Sequence, residues 1–199
     1  MSSKPNTPKG TRDFSSEQIV KRNYILKILV DSFKYFNYSE IQTPSFENLE
    51  TLTGEYEDDQ DGLMFKIISS GEKIKRADID SLKKGELIKF SNSISDKALR
   101  YDLTVPLARY VSQNLNNINF PFKRYQTQLV WRAERPQRGR YREFLQCDVD
   151  IVGDSSYLQV IESIQLCDMV FDKLGFKNLK LRINDRRILE SLAKTTGIE

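Results

Sequence analysis

The stretch Trp131-Arg132-Ala133-Glu134-Arg135-Pro136-Gln137-Arg138-Gly139-Arg140-Tyr141-Arg142-Glu143-Phe144 joins two segments, 122–134 and 141–152, that read as extended. Successive side chains of a strand face opposite ways, so parity decides which of them point together. In the first segment the even positions are Arg124, Gln126, Gln128, Val130, Arg132 and Glu134, and the odd ones include Tyr125, Leu129, Trp131 and Ala133. In the second, Arg142, Phe144, Gln146, Asp148 and Asp150 share a face opposite Leu145, Cys147, Val149 and Ile151. Paired as an antiparallel hairpin, the two segments lay their apolar faces on flanking helices. The other surface then presents Arg132, Glu134, Arg142, Phe144, Gln146 and Asp150.

Charge singles out the same hairpin. Residues 122–142 hold seven bases and one acid, a net +6 against +3 for all 199 residues. A solvated face is the ordinary reading of a charge run. Here six of the seven bases are arginines, whose planar fork suits bidentate contact with phosphate or carboxylate, and acids share their face. That mixture around an aromatic ring points to a zwitterionic or phosphorylated ligand. No Gly-rich phosphate loop or GxGxxG occurs, so side chains would hold any phosphate. Two residues keep a structural alternative: Asp102 as a helix cap and Asp150 as the ion-pair partner of a nearby arginine. Asp148 reads as structural.

Outward from the hairpin, Ser15 and Gln18 have capping-box spacing, with Phe14 and Ile19 placed as a hydrophobic staple, ahead of an amphipathic helix to about Asn37. A strand is expected over Tyr38–Thr43, ended by Pro44, then a short helix over Glu47–Thr53 stopping at Gly54. The acidic run 55–61 reads as a solvated loop, Leu63–Ile68 as a strand and 71–97 as a surface excursion. A strand at Ala98–Tyr101 leads into a helix from Thr104 to Asn114, with Pro106 tolerated in its first turn. After the hairpin a helix is expected over Ser155–Leu174, a strand at Leu179–Leu181–Ile183 and a last helix from Asn184 to Gly197.

Composition removes several classes of chemistry. The chain has no histidine, which excludes Ser-His and Cys-His nucleophile pairs and His-ligated zinc. Cys147 and Cys167 are too few and too far apart for a zinc cluster or a disulfide scaffold; they read as small buried hydrophobes in a reducing, cytoplasmic setting. No run of about 18 apolar residues suggests a membrane span, and Met1–Gly10 lacks the apolar core of a secretion signal.

The hairpin residues carry a resemblance. Arg132-Ala133-Glu134, a basic loop and then Arg140-x-x-x-Phe144 resemble motif 2 of the class II aminoacyl-tRNA synthetases, and the string 131–144 is similar to the histidyl-tRNA synthetase family in particular. Three more segments agree: Pro8-Lys9-Gly10-Thr11-Arg12-Asp13-Phe14, the helix–strand–Pro44 pattern over about 15–44, similar to motif 1, and Leu99-Arg100-Tyr101-Asp102-Leu103-Thr104-Val105-Pro106.

The resemblance implies an α+β fold, an antiparallel sheet flanked by helices, and a homodimer through motif 1. It implies activation of L-histidine by ATP with Mg2+, then transfer to tRNA(His). Arg132 would contact the ATP α-phosphate and the histidine carboxylate. Glu134 would fix the adenine end, Arg140 would reach the terminal phosphates and Phe144 would stack on adenine. Asp102, Leu103, Thr104 and Gln146 would hold the α-amino end of histidine, and Asp150 would accept from its imidazole. No dedicated protein metal site is implied. The family's later elements, a further arginine segment, motif 3 and the anticodon-binding domain, have no counterpart in these 199 residues. The chain therefore reads as the N-terminal portion of a class II catalytic domain, with motif 1 at about 15–44 and motif 2 at about 122–152, and little tRNA charging is expected of it alone. The synthetase-like regulatory subunit of ATP phosphoribosyltransferase, a binding module, is the alternative from another class.

Overall fold

The computed structural model describes residues 4–54 and 61–197. Helix α1 spans Ser16–Tyr35. Its first turn is closed reciprocally: the Gln18 amide donates to Ser15 Oγ at 3.3 Å and the Ser15 amide to Gln18 Oε1 at 2.9 Å. Asn37, at φ 62°, then reverses the chain into β1, Ser39–Glu40. This strand is shorter than the expected Tyr38–Thr43, although the Ile41 amide still donates to the Tyr125 carbonyl.

β1 runs parallel to β5, Phe122–Trp131, which pairs antiparallel with β6, Glu143–Val152. The register sets Arg124 opposite Asp150, Gln126 opposite Asp148, Gln128 opposite Gln146 and Val130 opposite Phe144. A second sheet joins β2 (Phe46–Asn48), β4 (Ser95–Leu99) and β3 (Lys66–Ile68) in the order β2-β4-β3, all antiparallel. The short α2, Leu49–Thr53, stops at Gly54. The excursion at 71–97 holds three helices, α3 (Glu72–Lys75), α4 (Ile79–Lys83) and α5 (Leu87–Ile94). Of the acidic run at 55–61, residues 55–60 lie outside the described residues.

α6 covers Thr104–Gln113, α7 Tyr157–Lys173 and α8 Arg186–Thr196. The odd face of the hairpin packs on α1 and α7, as parity requires: Phe33, Tyr38, Tyr125, Leu166 and Val170 form the main core, with Cys147, Val149 and Ile151 against it. A smaller core of Leu49, Leu52, Met64, Ala98 and Tyr101 lies under the second sheet. The half-buried Arg109 of α6 makes two bonds to the buried Glu47, at 2.6 and 2.8 Å, and ties α6 to β2.

Several expectations need correction. Residues 179–183 are not a strand; Leu179, Leu181 and Ile183 are 43%, 52% and 70% exposed, and their alternating pattern finds no strand to pair with among the described residues. Leu129 is exposed although its parity matches the core. Cys167 is exposed, not buried; Cys147 is half-buried and burial raises its thiol pKa. Phe14 stacks with arginines, which replaces the expected staple with Ile19.

Two core phenols make the fold sensitive to alkali. Burial and the bond to Glu40 push the Tyr125 pKa from 10.0 up to about 12, and burial with Glu162 raises that of Tyr38. A raised folded-state pKa means stability that is complete below pH 10 and is lost as pH climbs through about 12. Tyr125→Phe is expected to move the alkaline unfolding midpoint upward, followed by circular dichroism between pH 9 and 12. An unmoved midpoint would place the alkaline weakness elsewhere.

Candidate functional site: the polar face of the hairpin

The even face of β5 and β6 is polar along its whole length, but it is not uniformly open. Arg124 and Gln126 are fully buried. A buried amide or guanidinium is costly unless its donors and acceptors are engaged, and here Gln126 links one Arg124 nitrogen to its neighbours in a chain. Arg124 Nη1 donates to Gln126 Oε1, and Gln126 Nε2 donates to Thr43 Oγ1 at 2.8 Å and to Gln128 Oε1 at 2.6 Å. Arg100, 1% exposed, closes the layer by donating to the carbonyls of Thr43, Pro44 and Leu129. The floor of the face is therefore held by its own buried bonds.

At the loop end, the Arg132 amide donates to the Arg142 carbonyl at 2.8 Å, so pairing continues beyond the named strands. Arg132 Nε donates to the Tyr101 carbonyl at 3.0 Å, and its guanidinium lies 5.2 Å from the Phe144 ring centre. Arg142 Nε donates to the Glu134 carbonyl, and Arg140 lies 3.7 Å from the Glu134 carboxylate. Arg132, Glu134, Arg140 and Phe144 together line a cleft of about 420 Å³.

The cleft has a second wall that sequence reading missed. Arg12, Phe14 and Arg22, from the N-terminal segment and α1, line it with Tyr141. Their side chains form a ladder: Arg12 lies 4.0 Å from the Tyr141 ring centre and 4.6 Å from that of Phe14, and Arg22 lies 4.2 Å from Phe14 on its own account. Gly10 brings the segment in. Its carbonyl accepts from the Arg142 amide, and at φ 86° a Cβ there would meet Arg142 Cγ at 2.8 Å. Arg12→Ala removes two cation–π contacts worth roughly 1–2 kcal/mol together. It is expected to speed tryptic cleavage after the exposed Arg138 or Arg140 about tenfold by loosening this docked loop; an unchanged cleavage rate would show that the ladder does not restrain it.

At the far end, Asp150 forms an ion pair with Arg124, the structural alternative noted from sequence. Burial pushes Asp150 up from the ordinary carboxylate range while Arg124 pulls it back; Asp148 and Asp102 also act on it. The guanidinium keeps its proton in proteins, so Arg124 presents a positive charge to Asp150 from the buried side. Gln146 Nε2 donates to Asp148 Oδ2. Asp102 Oδ1 accepts from the Thr104 and Val105 amides and caps α6. Leu103 is fully buried, which leaves only its main chain to face a ligand, while Thr104 is exposed. Six residues separate Phe144 from Asp150, roughly 20 Å of strand.

Comparison with known proteins shows the family. The histidyl-tRNA synthetase family model matches residues 72–199. The chain belongs to the histidyl-tRNA synthetase family. The histidine--tRNA ligase of Christiangramia forsetii is 55% identical over 99% of the chain and 43% of that relative's length. A crystal structure of histidyl-tRNA synthetase from Nostoc sp. PCC 7120 superposes with a TM-score of 0.77 at 27% identity, over 98% of this chain and 40% of that one. The ATP phosphoribosyltransferase regulatory subunit/histidyl-tRNA synthetase from Bacillus halodurans C shares the fold, with a TM-score of 0.65 at 23% identity over 87% of this chain and 40% of that one. The fold is thus the α+β arrangement, with an antiparallel sheet, of the histidyl-tRNA synthetases. The chain spans about 43% of the length of the curated relatives it matches. No helix among the described residues is long and apolar enough to cross a membrane.

Proposed function

We propose that the polar face of the hairpin activates L-histidine with ATP and presents the resulting histidyl-adenylate to tRNA(His), as the N-terminal part of the catalytic domain of a histidine--tRNA ligase. Motif 1 is read at about 15–44 and motif 2 at about 122–152. The observation that carries this is the position of Arg132, tied to the Tyr101 carbonyl next to Asp102 and lying against Phe144. One guanidinium thus stands between an acid suited to an ammonium and an aromatic suited to a base.

In this reading histidine lies toward Asp150 and adenine toward Phe144, and the span of roughly 20 Å between them suits an extended aminoacyl nucleotide. The free oxygen of Asp102, with Thr104, the Leu103 main chain and Gln146, receives the α-ammonium; Asp150 accepts from the imidazole. Arg132 draws the substrate carboxylate and the α-phosphate together. As the carboxylate oxygen attacks phosphorus and pyrophosphate leaves, charge grows on oxygens that Arg132 already faces; fixed donors of this kind supply most of such a barrier reduction. Arg140 holds the terminal phosphates and Glu134 the adenine end. Mg2+ bound to ATP would supply charge neutralisation on the phosphates, without a dedicated protein site; the carboxylates of Glu134 and Glu143 line the cleft and would be the acids on hand for it.

We also propose a homodimer through motif 1. Support comes from α1, which leaves Val20 and Tyr24 68% and 63% exposed, and from β1, which is the outer strand of its sheet. A cytoplasmic setting, where the tRNA is, accords with two free thiols. The test of the main proposal is histidine-dependent exchange of labelled pyrophosphate into ATP by the protein that carries this chain. Exchange with histidine, and none with the other amino acids, is expected; a lack of histidine dependence would refute it and favour the regulatory-subunit reading.

A further inference from the structure

Of the hairpin's bases, Arg124 is the one that the structure buries completely. A guanidinium so placed must be matched by its surroundings, and the match is incomplete. Nη1 reaches Gln126 and Nη2 is paired with Asp150, yet Nε and Nη2 make no well-directed hydrogen bond. On the facing strand, Gln146 Oε1 and Asp150 Oδ2 are buried and equally without one. Apart from the Nη2–Asp150 ion pair, Arg124 Nε and Gln146 Oε1 are left without a partner among the described residues on this face, and three acids act at its Asp150 end. Asp150 is faced by Arg124 from β5, by Asp148 on its own strand, by Asp102 from the turn before α6 and by the Tyr38 phenol from the segment after α1.

Without Arg124 this end would be purely acidic and would favour any cationic side chain. With it, the charge of Asp150 is cancelled from behind, in a place from which water cannot screen it. A neutral N–H donor then loses nothing by approaching Asp150, whereas a cation meets the guanidinium. Discrimination of this kind requires a repulsive element as well as an attractive one. We infer that Arg124 is a specificity-determining positioning residue: it sets the Asp150 pocket to accept histidine with an uncharged imidazole and to reject imidazolium and the cationic side chains of lysine and arginine. This rests on the reading of the face as a histidine-activating site.

The test follows the KM for histidine between pH 8 and 5.5 in pyrophosphate exchange, using the protein that carries this chain. Imidazole titrates near 6.5, so neutral histidine falls about tenfold by pH 5.5, and the wild-type KM is expected to rise by about that factor with kcat less affected. In Arg124→Met the rise is expected to flatten or reverse, and lysine becomes a competitive inhibitor. Arg124→Lys is expected to recover part of the wild-type slope. A merely structural role would lower activity without altering the pH dependence of KM. Two readouts do not depend on the methionine variant folding: a wild-type KM that does not change with pH would overturn the inference, and so would appreciable inhibition of the wild type by lysine. Parallel profiles in wild type and Arg124→Met would do the same. Failure of the functional reading is distinguishable, because the wild type would then show no histidine-dependent exchange at any pH.

Discussion

Arg132→Ala is expected to lower histidine-dependent pyrophosphate exchange by a factor of about 10²–10³, the loss that follows removal of one donor aimed at developing negative charge, about 2.7–4 kcal/mol. The position of the side chain supports so large an effect. Arg132 Nε is spent on the Tyr101 carbonyl, which orients the guanidinium, and the plane lies against Phe144. Its Nη groups have no hydrogen bond among the described residues, and the side chain lines the cleft. The fold depends on it much less: one half-buried bond from side chain to main chain is worth about 1 kcal/mol. Thermal unfolding of the variant should therefore stay within a few degrees of wild type while exchange collapses. Arg132→Lys should retain only part of the activity, because an ammonium keeps the charge but cannot bridge a carboxylate and a phosphate as a fork does. Undiminished exchange in Arg132→Ala would remove this residue from the chemistry.

The largest effect on stability is expected at Arg100. Arg100→Met deletes the donors of a side chain that is 1% exposed. Its Nη1 reaches the carbonyls of Thr43 and Pro44 at 2.7 and 2.9 Å and Gln128 Oε1 at 3.2 Å, and Nε reaches the Leu129 carbonyl at 2.9 Å. Three main-chain carbonyls would lose this donor, and a buried polar group left unsatisfied costs about 1–3 kcal/mol. A loss of about 4 kcal/mol or more is a large share of the roughly 5–15 kcal/mol that holds a domain together. Arg100 follows directly on β4 and reaches β5, so the damage would separate the two sheets. Urea unfolding monitored by circular dichroism measures the loss; a change below about 1 kcal/mol would show that the network does not carry the junction.

Much of the hairpin was legible because its signals are local. Alternation fixed which side chains share a face, and the observed register pairs the even residues of one strand with those of the other, from Arg124–Asp150 to Val130–Phe144. The capping box at Ser15 and Gln18 and the stop at Gly54 are equally local and appear where expected. Burial of arginine was not legible. Charged side chains are rarely buried unless paired, and the partners that bury Arg100 and Arg124 include residues far along the chain, Thr43 and Leu129 for the first and Asp150 for the second. The β2-β4-β3 sheet joins segments some 30 to 50 positions apart and left only isolated strand fragments in the sequence. Residues 179–183 failed in the opposite way, because a strand pattern makes a strand only where an edge is there to receive it. Within the site, Arg132, Glu134, Arg140 and Phe144 converge on one cleft as their motif suggested, whereas Arg12, Phe14 and Arg22 joined it through a stacking ladder that no spacing rule announces.

The most direct test is amide chemical-shift mapping of the isotope-labelled chain titrated with histidyl sulfamoyl adenosine, a stable analogue of the adenylate. Saturable shifts at Asp102, Arg132, Phe144, Gln146 and Asp150, absent with the lysyl analogue, are the predicted result. Shifts confined to residues away from the even face of β5 and β6, or equal responses to the two analogues, would contradict it.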